Sequence, residues 1–572
     1  MVSNYLKYDL ITALQVFVLL VITAVHIWAS NKGIDISDEG FYLLGFQEKQ
    51  ELGLIETYFQ ALARFYFPFI ENSVIGWRII RLLLSGLSAY VLVYGIIKWL
   101  KQWFVFSTFE IINAYLFVII GSFTIPYLFG PQTLSYNSLS GIFVVFAVGL
   151  FFITLTAKSL KLAYTIFFLI GIMLANLLIS KITAGILLSF LFSLVTLFYF
   201  WGNFKKIFLI HLAVIGGIAS FYILFFLFIF SFELYSNSLL FFANEGKHQN
   251  YQNVALVGYV FDAAKQILKI FIYAFVITAS FVFGEILLKN NKIARFITTF
   301  FVLLGTILFV FYKFFLTAKL DSSFIILWLF VVLLYSLFFT FQEKKPFFYF
   351  KGKKEFLLIT IFLFLVPLSC AFGSDTGLLR NSLFYTTLYF GWLLIFYKTM
   401  NLKKTAVLLS IFVGITLSSV SYIRANVFFP YRADALFLQT ESLQNITGIN
   451  LKVDKNTALF VRQLKETLVK NGFQDNDYIL MFDQMAGVVF LMNGRAPGGN
   501  NFAHWKERLE KNLKFREMND VKFICIANIK KISQDIINVL KNNDINFPDS
   551  YQKVDSVVEG RHNWVVDVYK MK

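Results

Sequence analysis

The sequence predicts an all-α integral membrane protein with about thirteen transmembrane helices and a small soluble α/β domain after the last of them. Three observations predict it. Hydrophobic residues make up 58% of the 572-residue chain and charged residues only 15%, whereas a soluble domain is roughly half apolar and about a quarter charged. The apolar residues gather into runs of about 16 to 25, and roughly 20 helical residues at 1.5 Å each cross a hydrocarbon core of about 30 Å. Lysine and arginine cluster in alternate loops between those runs, the asymmetry that orients membrane proteins. Helix is the spanning element because lipid leaves a free backbone N–H or C=O without a partner.

The apolar runs begin near Leu10, Ile79, Phe109, Ser138, Leu162, Ala184, Ile207, Ile270, Phe296, Phe324, Phe356, Leu383 and Ala406. The first is too long for the core of a signal peptide and lacks a small-residue cleavage site, so it reads as a retained helix. With the N-terminus in the cytoplasm, the inside loops contain Lys98 and Lys101; Lys158 and Lys161; Lys205 and Lys206; Lys289 and Lys292; Lys344, Lys345, Lys351, Lys353 and Lys354; and Lys398, Lys403 and Lys404. The outside loops, among them Gly130 to Asn137, Ser180 to Thr183 and Phe372 to Asn381, are poorer in cations near the helix ends. That supports a multi-pass protein of the cell (inner) membrane with its C-terminal domain outside the cytoplasm. The net charge of +17 is then topology rather than a nucleic-acid stripe, and no nucleic acid is expected as a partner. Two cysteines, Cys370 and Cys525, give neither a disulfide framework nor a cysteine-rich metal site.

The division expected is a transmembrane domain over residues 1–423, with its first outer loop at about 30–76, and an extracytoplasmic domain over 424–572. In that loop Tyr58, Leu62, Phe65 and Phe69 recur at helical spacing and predict an amphipathic helix from Glu56 to Phe69 along the interface. A second long outer segment runs from Phe232 to about Lys269. In the tail, Asn456 is a candidate cap for a helix stopped by Gly472. Tyr478 to Phe482, Gly487 to Met492, Val521 to Asn528 and Trp564 to Tyr569 read as strands, and Ser533 as the cap of a further helix.

The most informative polar segment is Asp35-Ile36-Ser37-Asp38-Glu39-Gly40-Phe41-Tyr42, a few residues past the first span. Adjacent carboxylates at the outer membrane boundary can take a proton from a hydroxyl or amine, or hold a metal, because partial desolvation raises their basicity. The same residues also suit a solvated loop or the first turn of a helix. Four cations occupy outer positions: Arg78 and Arg81 where the second span opens, Lys181 alone in the shortest outer turn, and Arg380 at the end of Gly373 to Asn381. Each suits a phosphate, and Arg78, Arg81 and Lys181 also suit snorkelling to the interface. Asp375 either pairs with Arg380 or faces a substrate. Tyr136 and Asn137 offer a hydroxyl and an amide to a sugar, although Gly130-Pro131 ahead of them marks a turn. His248, in a polar outer segment, either covers a cavity or is solvated. The turn-forming stretch Gly494 to Asn501 either contacts an acceptor or is simply a turn. No histidine and carboxylate set has the spacing of a zinc hydrolase, and there is no phosphate-binding Gly-Lys-Ser/Thr loop.

The whole arrangement resembles the multi-spanning glycosyltransferases of the GT-C fold, the group with the protein O-mannosyltransferases (glycosyltransferase family 39-like) and the bacterial aminoarabinose transferases. The resemblance rests on the Asp-Glu pair in the first outer loop, a loop helix, about thirteen spans and a soluble outer domain. Gly76-Trp77-Arg78-Ile79-Ile80-Arg81-Leu82 resembles the Arg-Leu stretch after that loop, and Ser180-Lys181-Ile182-Thr183-Ala184-Gly185 resembles the group's Thr-Lys-Gly turn with its order altered. The resemblance implies transfer of a hexose or pentose from a polyprenyl-phosphate donor to a lipid, glycan or protein acceptor outside the cytoplasm. By it Asp38 is the general base, and Glu39 positions the acceptor or a divalent cation such as Mg or Mn. Glu56 or Glu71 would be the second acidic position, so Asp38, Glu39 and Glu56 are the metal ligands if a metal is used. Lys181, Arg380, Arg78 and Arg81 would hold the donor phosphate.

Two other readings stay open. A polysaccharide polymerase or ligase of the cell envelope puts its chemistry in a large outer loop with essential arginines, and the stretch from Glu233 to Gln252 has none. A transporter or lipid flippase predicts ionisable residues near mid-membrane, which are few here.

Overall fold

The computed structural model describes residues 2–55, 57–70, 72–248, 253–287, 322–342, 354–373, 377–399, 404–499, 506–517, 520–528, 531–561 and 563–572. Among these, nine helices are long and apolar enough to cross a membrane: Leu10–Ala29, Val74–Leu100, Thr108–Tyr127, Tyr136–Thr154, Leu160–Ser180, Ile182–Tyr199, Phe204–Phe228, Phe261–Ser280 and Ser410–Phe428. Shorter apolar helices, Ser323–Leu334 and Glu355–Cys370, stand where runs were predicted from Phe324 and Phe356. The run predicted from Leu383 is split, because a tight turn over Ser382–Tyr385 takes its first residues and leaves the helix Thr387–Thr399. The run near Phe296 lies outside the described residues. Nine spans therefore meet the length and hydropathy of a crossing among the described residues, and the expected thirteen also counts runs that fall on residues outside them.

Serine caps start several of these helices. Ser107 accepts from the Glu110 N–H while the Glu110 side chain returns to Ser107, and Ser135 and Ser138 repeat that reciprocal pattern. Inside lipid the helices gain little from burying apolar surface, so close contact between backbones has to supply the attraction. At the crossing of Val74–Leu100 with Tyr136–Thr154, a side chain at Gly95 would lie 2.5 Å from the Gly149 carbonyl oxygen. Only glycine permits that approach. At one end of the helical body Lys398 pairs with Glu110 at 2.8 Å. At the other end Thr183 donates to the Phe372 carbonyl (2.8 Å) and Arg81 to that of Pro131 (2.6 Å), which gathers the short loops of that end together.

The loop after the first span folds into the helices Asp38–Phe46 and Phe59–Tyr66 and the turn Pro68–Ile70. The stripe predicted to lie along the interface is divided. Tyr58 and Leu62 are buried against Ala175, Ile179, Phe225 and Tyr235, while Phe65 and Phe69 are exposed. The helix ends at Tyr66, so Phe69, beyond Pro68, is out of helical register with the others. Arg64 fastens the loop to itself by donating to the carbonyls of Gly45 (2.9 Å) and Gln50 (2.7 Å).

The C-terminal domain is built on a four-stranded sheet in the order Ile479–Met481, Phe523–Ala527, Trp564–Met571, Tyr551–Glu559, the first pair parallel and the others antiparallel. Two expectations change. The helix Lys455–Lys470 is capped by Asp454, which accepts from the Thr457 N–H at 2.9 Å, and not by Asn456. Gly487 to Met492 is not a strand but part of the helix Ala486–Leu491. An apolar run of six residues fits either element, and the left-handed residues Asp483 and Gln484 turn the chain out of the preceding strand here.

Candidate active site

The site begins with a cap. The Asp35 carboxylate accepts from the Ser37 N–H (3.0 Å) and hydroxyl (2.5 Å), from the Asp38 N–H (2.9 Å) and from the Glu39 N–H (3.2 Å). It thus satisfies the donors that open the helix Asp38–Phe46, as a capping carboxylate does. Burial pushes the Asp35 pKa up to about 6; the nearby Asp38 charge adds to this, and the Ser37 hydrogen bonds and Arg432 oppose it. Asp38 and Glu39 then occupy successive positions of one helical turn, about 100° apart around the axis.

Glu39 points inward. Its side chain is 3% exposed and takes Arg78 in a fork, Nε at 3.0 Å and Nη2 at 2.8 Å. It also accepts from the Thr133 N–H at 3.2 Å. The rest of the Arg78 guanidinium donates to the carbonyls of Ala29, Ser30, Lys32 and Gly33 at 2.7–3.3 Å. Arg81 is used in the same way: it donates to the Pro126, Pro131 and Thr133 carbonyls and lies 4.0 Å over the Tyr127 ring. Both arginines, expected at a donor phosphate, are occupied in fastening neighbouring loops to the helix Val74–Leu100.

Asp38 points the other way. Its side chain is 31% exposed, accepts from the Tyr431 hydroxyl at 2.6 Å and lies 3.4 Å from Arg432 Nη1. Arg432 also donates to the Ser37 hydroxyl at 2.6 Å, and its own carbonyl accepts from Arg561 of the C-terminal domain. Tyr431 and Arg432 were not singled out in the sequence. They follow the last span in Phe428-Phe429-Pro430-Tyr431-Arg432, where an aromatic and a cation read as interface anchors.

Lys181 and Asn137 come together: the buried ammonium donates to Asn137 Oδ1 at 3.1 Å and sits 5.7 Å from the Tyr385 ring centroid. Tyr136, beside Asn137, touches the ring of Tyr42 on the Asp38 helix at 6.4 Å. Arg380 stacks on Phe129 at 4.0 Å, and Phe129 in turn meets the Tyr431 ring at 5.7 Å. Chains of contact thus join Asp38 to Arg380 and the Asp38 helix to Lys181, and the Thr183–Phe372 bond ties the Lys181 turn to the loop that carries Arg380. His248 ends the helix Phe232–His248, and its side chain lies outside the described residues. Asp375 and Glu56 lie outside the described residues.

The same geometry bears on a metal. Among the described residues no group of three or more His, Cys, Asp or Glu comes together as a metal site. Of the three expected ligands, Glu39 has both oxygens on Arg78 and Asp38 is bonded to Tyr431. Among the described residues, Asp38 and Glu39 thus do not form a divalent-cation site.

No protein-family model matches the sequence, and no curated protein matches it. Solved structures with a similar chain path include the Archaeoglobus fulgidus oligosaccharyltransferase in complex with Zn and sulfate, at 13% identity and a TM-score of 0.43, covering 89% of this chain and 67% of that one. ArnT from Cupriavidus metallidurans in the apo state matches at 11% identity and 0.41, over 97% of both chains. The same oligosaccharyltransferase tethered to an acceptor peptide with an NVT sequon matches at 12% and 0.40, over 94% and 72%. These neighbours are GT-C glycosyltransferases. At such identities and TM-scores the likeness is one of chain path, and no residue role is taken from it.

Proposed function

We propose that this chain is an integral membrane glycosyltransferase that moves a sugar from a polyprenyl-phosphate donor to a lipid, glycan or protein acceptor, with its site and C-terminal domain outside the cytoplasm. The observation that carries the reading is the state of Asp38. It is the carboxylate of its helix that remains partly exposed, and it is held in place on one side by Tyr431 while the other side is open to an acceptor. A second observation concerns the donor. An open apolar groove of about 670 Å³, lined by Ile182, Tyr222, Phe226, Leu227, Tyr235 and Leu239, starts at the residue after Lys181. A prenyl chain suits such a groove, with its phosphate at the buried ammonium.

The chemistry follows from those positions. As the acceptor oxygen or nitrogen attacks the anomeric carbon, its proton passes to Asp38. The bond from that carbon to the phosphate oxygen breaks, the phosphate leaves with the electron pair, and Lys181 and Arg380 meet its growing negative charge. Glu39, Arg78 and Arg81 hold the loops on which these groups stand.

Asp38→Asn is expected to lower sugar transfer in membranes by roughly 10²- to 10⁴-fold with membrane insertion and folding retained. Full activity in this variant would remove Asp38 as the base. Lys181→Ala is expected to lower kcat/KM for the donor about tenfold or more with the acceptor KM unaltered, and an unchanged donor response would end its phosphate role.

A further inference from the structure

We infer that the C-terminal domain is a positioning part of this site, acting through a backbone contact at Gly487; the inference rests on the reading of Asp38 as the base. The domain grips the first outer loop at three places that straddle Asp38. Before it, Lys452 pairs with the loop in strand fashion, the Gly33 N–H donating to the Lys452 carbonyl (2.8 Å) and the Lys452 N–H to that of Asn31 (2.7 Å). After it, Gln50 mimics a backbone partner of Ala496 with bonds of 2.8 and 2.9 Å, and the Leu54 N–H donates to Asn512 at 2.6 Å.

Between them, at the turn that carries Asp38, the contact is backbone on backbone. The Gly487 N–H donates to the Ile36 carbonyl at 2.7 Å. A side chain on Gly487 would come 2.7 Å from the Ile36 Cα, and one on Gly40 would come 2.1 Å from the Gly487 Cα. Neither glycine has a left-handed backbone, so conformation does not require them. Helix propensity favours alanine over glycine at a helical position. Glycine is needed at 487 for the space alone. A methyl group there must push the first turn of the Asp38–Phe46 helix away from the domain and carry Asp38 out of line with Tyr431.

The test uses the full chain in nanodiscs and two readouts. In Gly487→Ala, hydrogen–deuterium exchange of the amides from Asp38 to Tyr42 is expected to rise about tenfold or more, with exchange in Phe204–Phe228 unchanged. Transfer is expected to lose kcat by up to about 10²-fold, the usual effect of a misplacement near 1 Å, while the donor KM stays within about twofold because the Lys181 turn is not displaced. Gly216→Ala is the control, since a side chain there would meet only the Phe168 ring at 3.8 Å, and it should change neither readout.

Unchanged exchange in Gly487→Ala overturns the inference. So does raised exchange with full kcat, or equal loss in the control. Should Gly487→Ala fail to fold, Gln50→Ala loosens the grip without adding atoms, and it must then raise exchange in the loop helix and lower kcat. If the wild type moves no sugar from a polyprenyl-phosphate donor, the functional reading fails, and the exchange result still decides whether the domain holds the helix.

Discussion

The Glu39 side of the loop helix and its Asp38 side are built from adjacent residues and do opposite work. On the Glu39 side every polar atom is answered within the protein: the carboxylate by Arg78 and the Thr133 N–H, the guanidinium by four backbone carbonyls. An ion pair so buried tolerates no loss of a partner, because the survivor is left charged without solvent. On the Asp38 side the carboxylate is partly exposed and is met by Tyr431 and Arg432, which follow the last span more than 390 residues on. In the proposed reading the difference separates a fastening from a base. A base has to take up and release a proton, which a carboxylate locked into a fork cannot do without unfolding its surroundings.

The sharpest way to break that comparison is to remove Arg78. Arg78→Ala leaves Glu39 buried and unpaired and is expected to cost about 3–5 kcal/mol, read as loss of folded, monodisperse protein after extraction. If Arg78→Ala instead folded normally and lost only donor binding, the pair would belong to the reactive side. A smaller effect concerns the cap beneath both residues. The folded pKa of Asp35, about 6, lies above its ordinary 3.8, so between those values the folded chain holds a proton that the unfolded chain releases. Stability from this group is therefore greatest below about pH 4 and falls as pH rises to about 6, by at most ~3 kcal/mol. Thermal unfolding from pH 4 to 7 should show that slope in the wild type and a flatter one in Asp35→Asn. Asp38→Asn, by removing the like charge that helps raise Asp35, should narrow the same window.

Much of this molecule was legible in the sequence because a membrane span is a matter of length and hydropathy, and runs such as those from Leu10, Ser138 and Leu162 carry both. The run from Leu383 misled because hydropathy does not register a tight turn inside it. In the site, residue type was legible and use was not. Asp38 and Glu39 look alike in sequence, as do Arg78 and Lys181; what separates them is which way one helical turn faces and how many carbonyls stand within reach. Tyr431 and Gly487 were missed for a further reason. Each acts by meeting a residue more than 390 positions away, and no local pattern encodes such a meeting.

The mildest change asks whether the Asp38 side is as loosely built as it looks. Tyr431→Phe deletes one hydrogen bond to a partly exposed carboxylate and keeps the ring that touches Phe129, so the expected loss of stability is about 1 kcal/mol or less. Transfer should suffer more than folding does, because the carboxylate then turns more freely and spends less time aimed at the acceptor; a several-fold fall in kcat is the expected outcome. Arg432→Ala should do less to kcat than Tyr431→Phe, since the arginine side chain is 49% exposed and 3.4 Å away, and exposed pairs contribute roughly 0–1 kcal/mol. That order of effects, with melting temperature nearly constant in both, is what a positioned but accessible base requires. Were Tyr431→Phe to unfold the protein as Arg78→Ala does, Asp38 would be a second fastening, and the base would have to be sought elsewhere on the outer face.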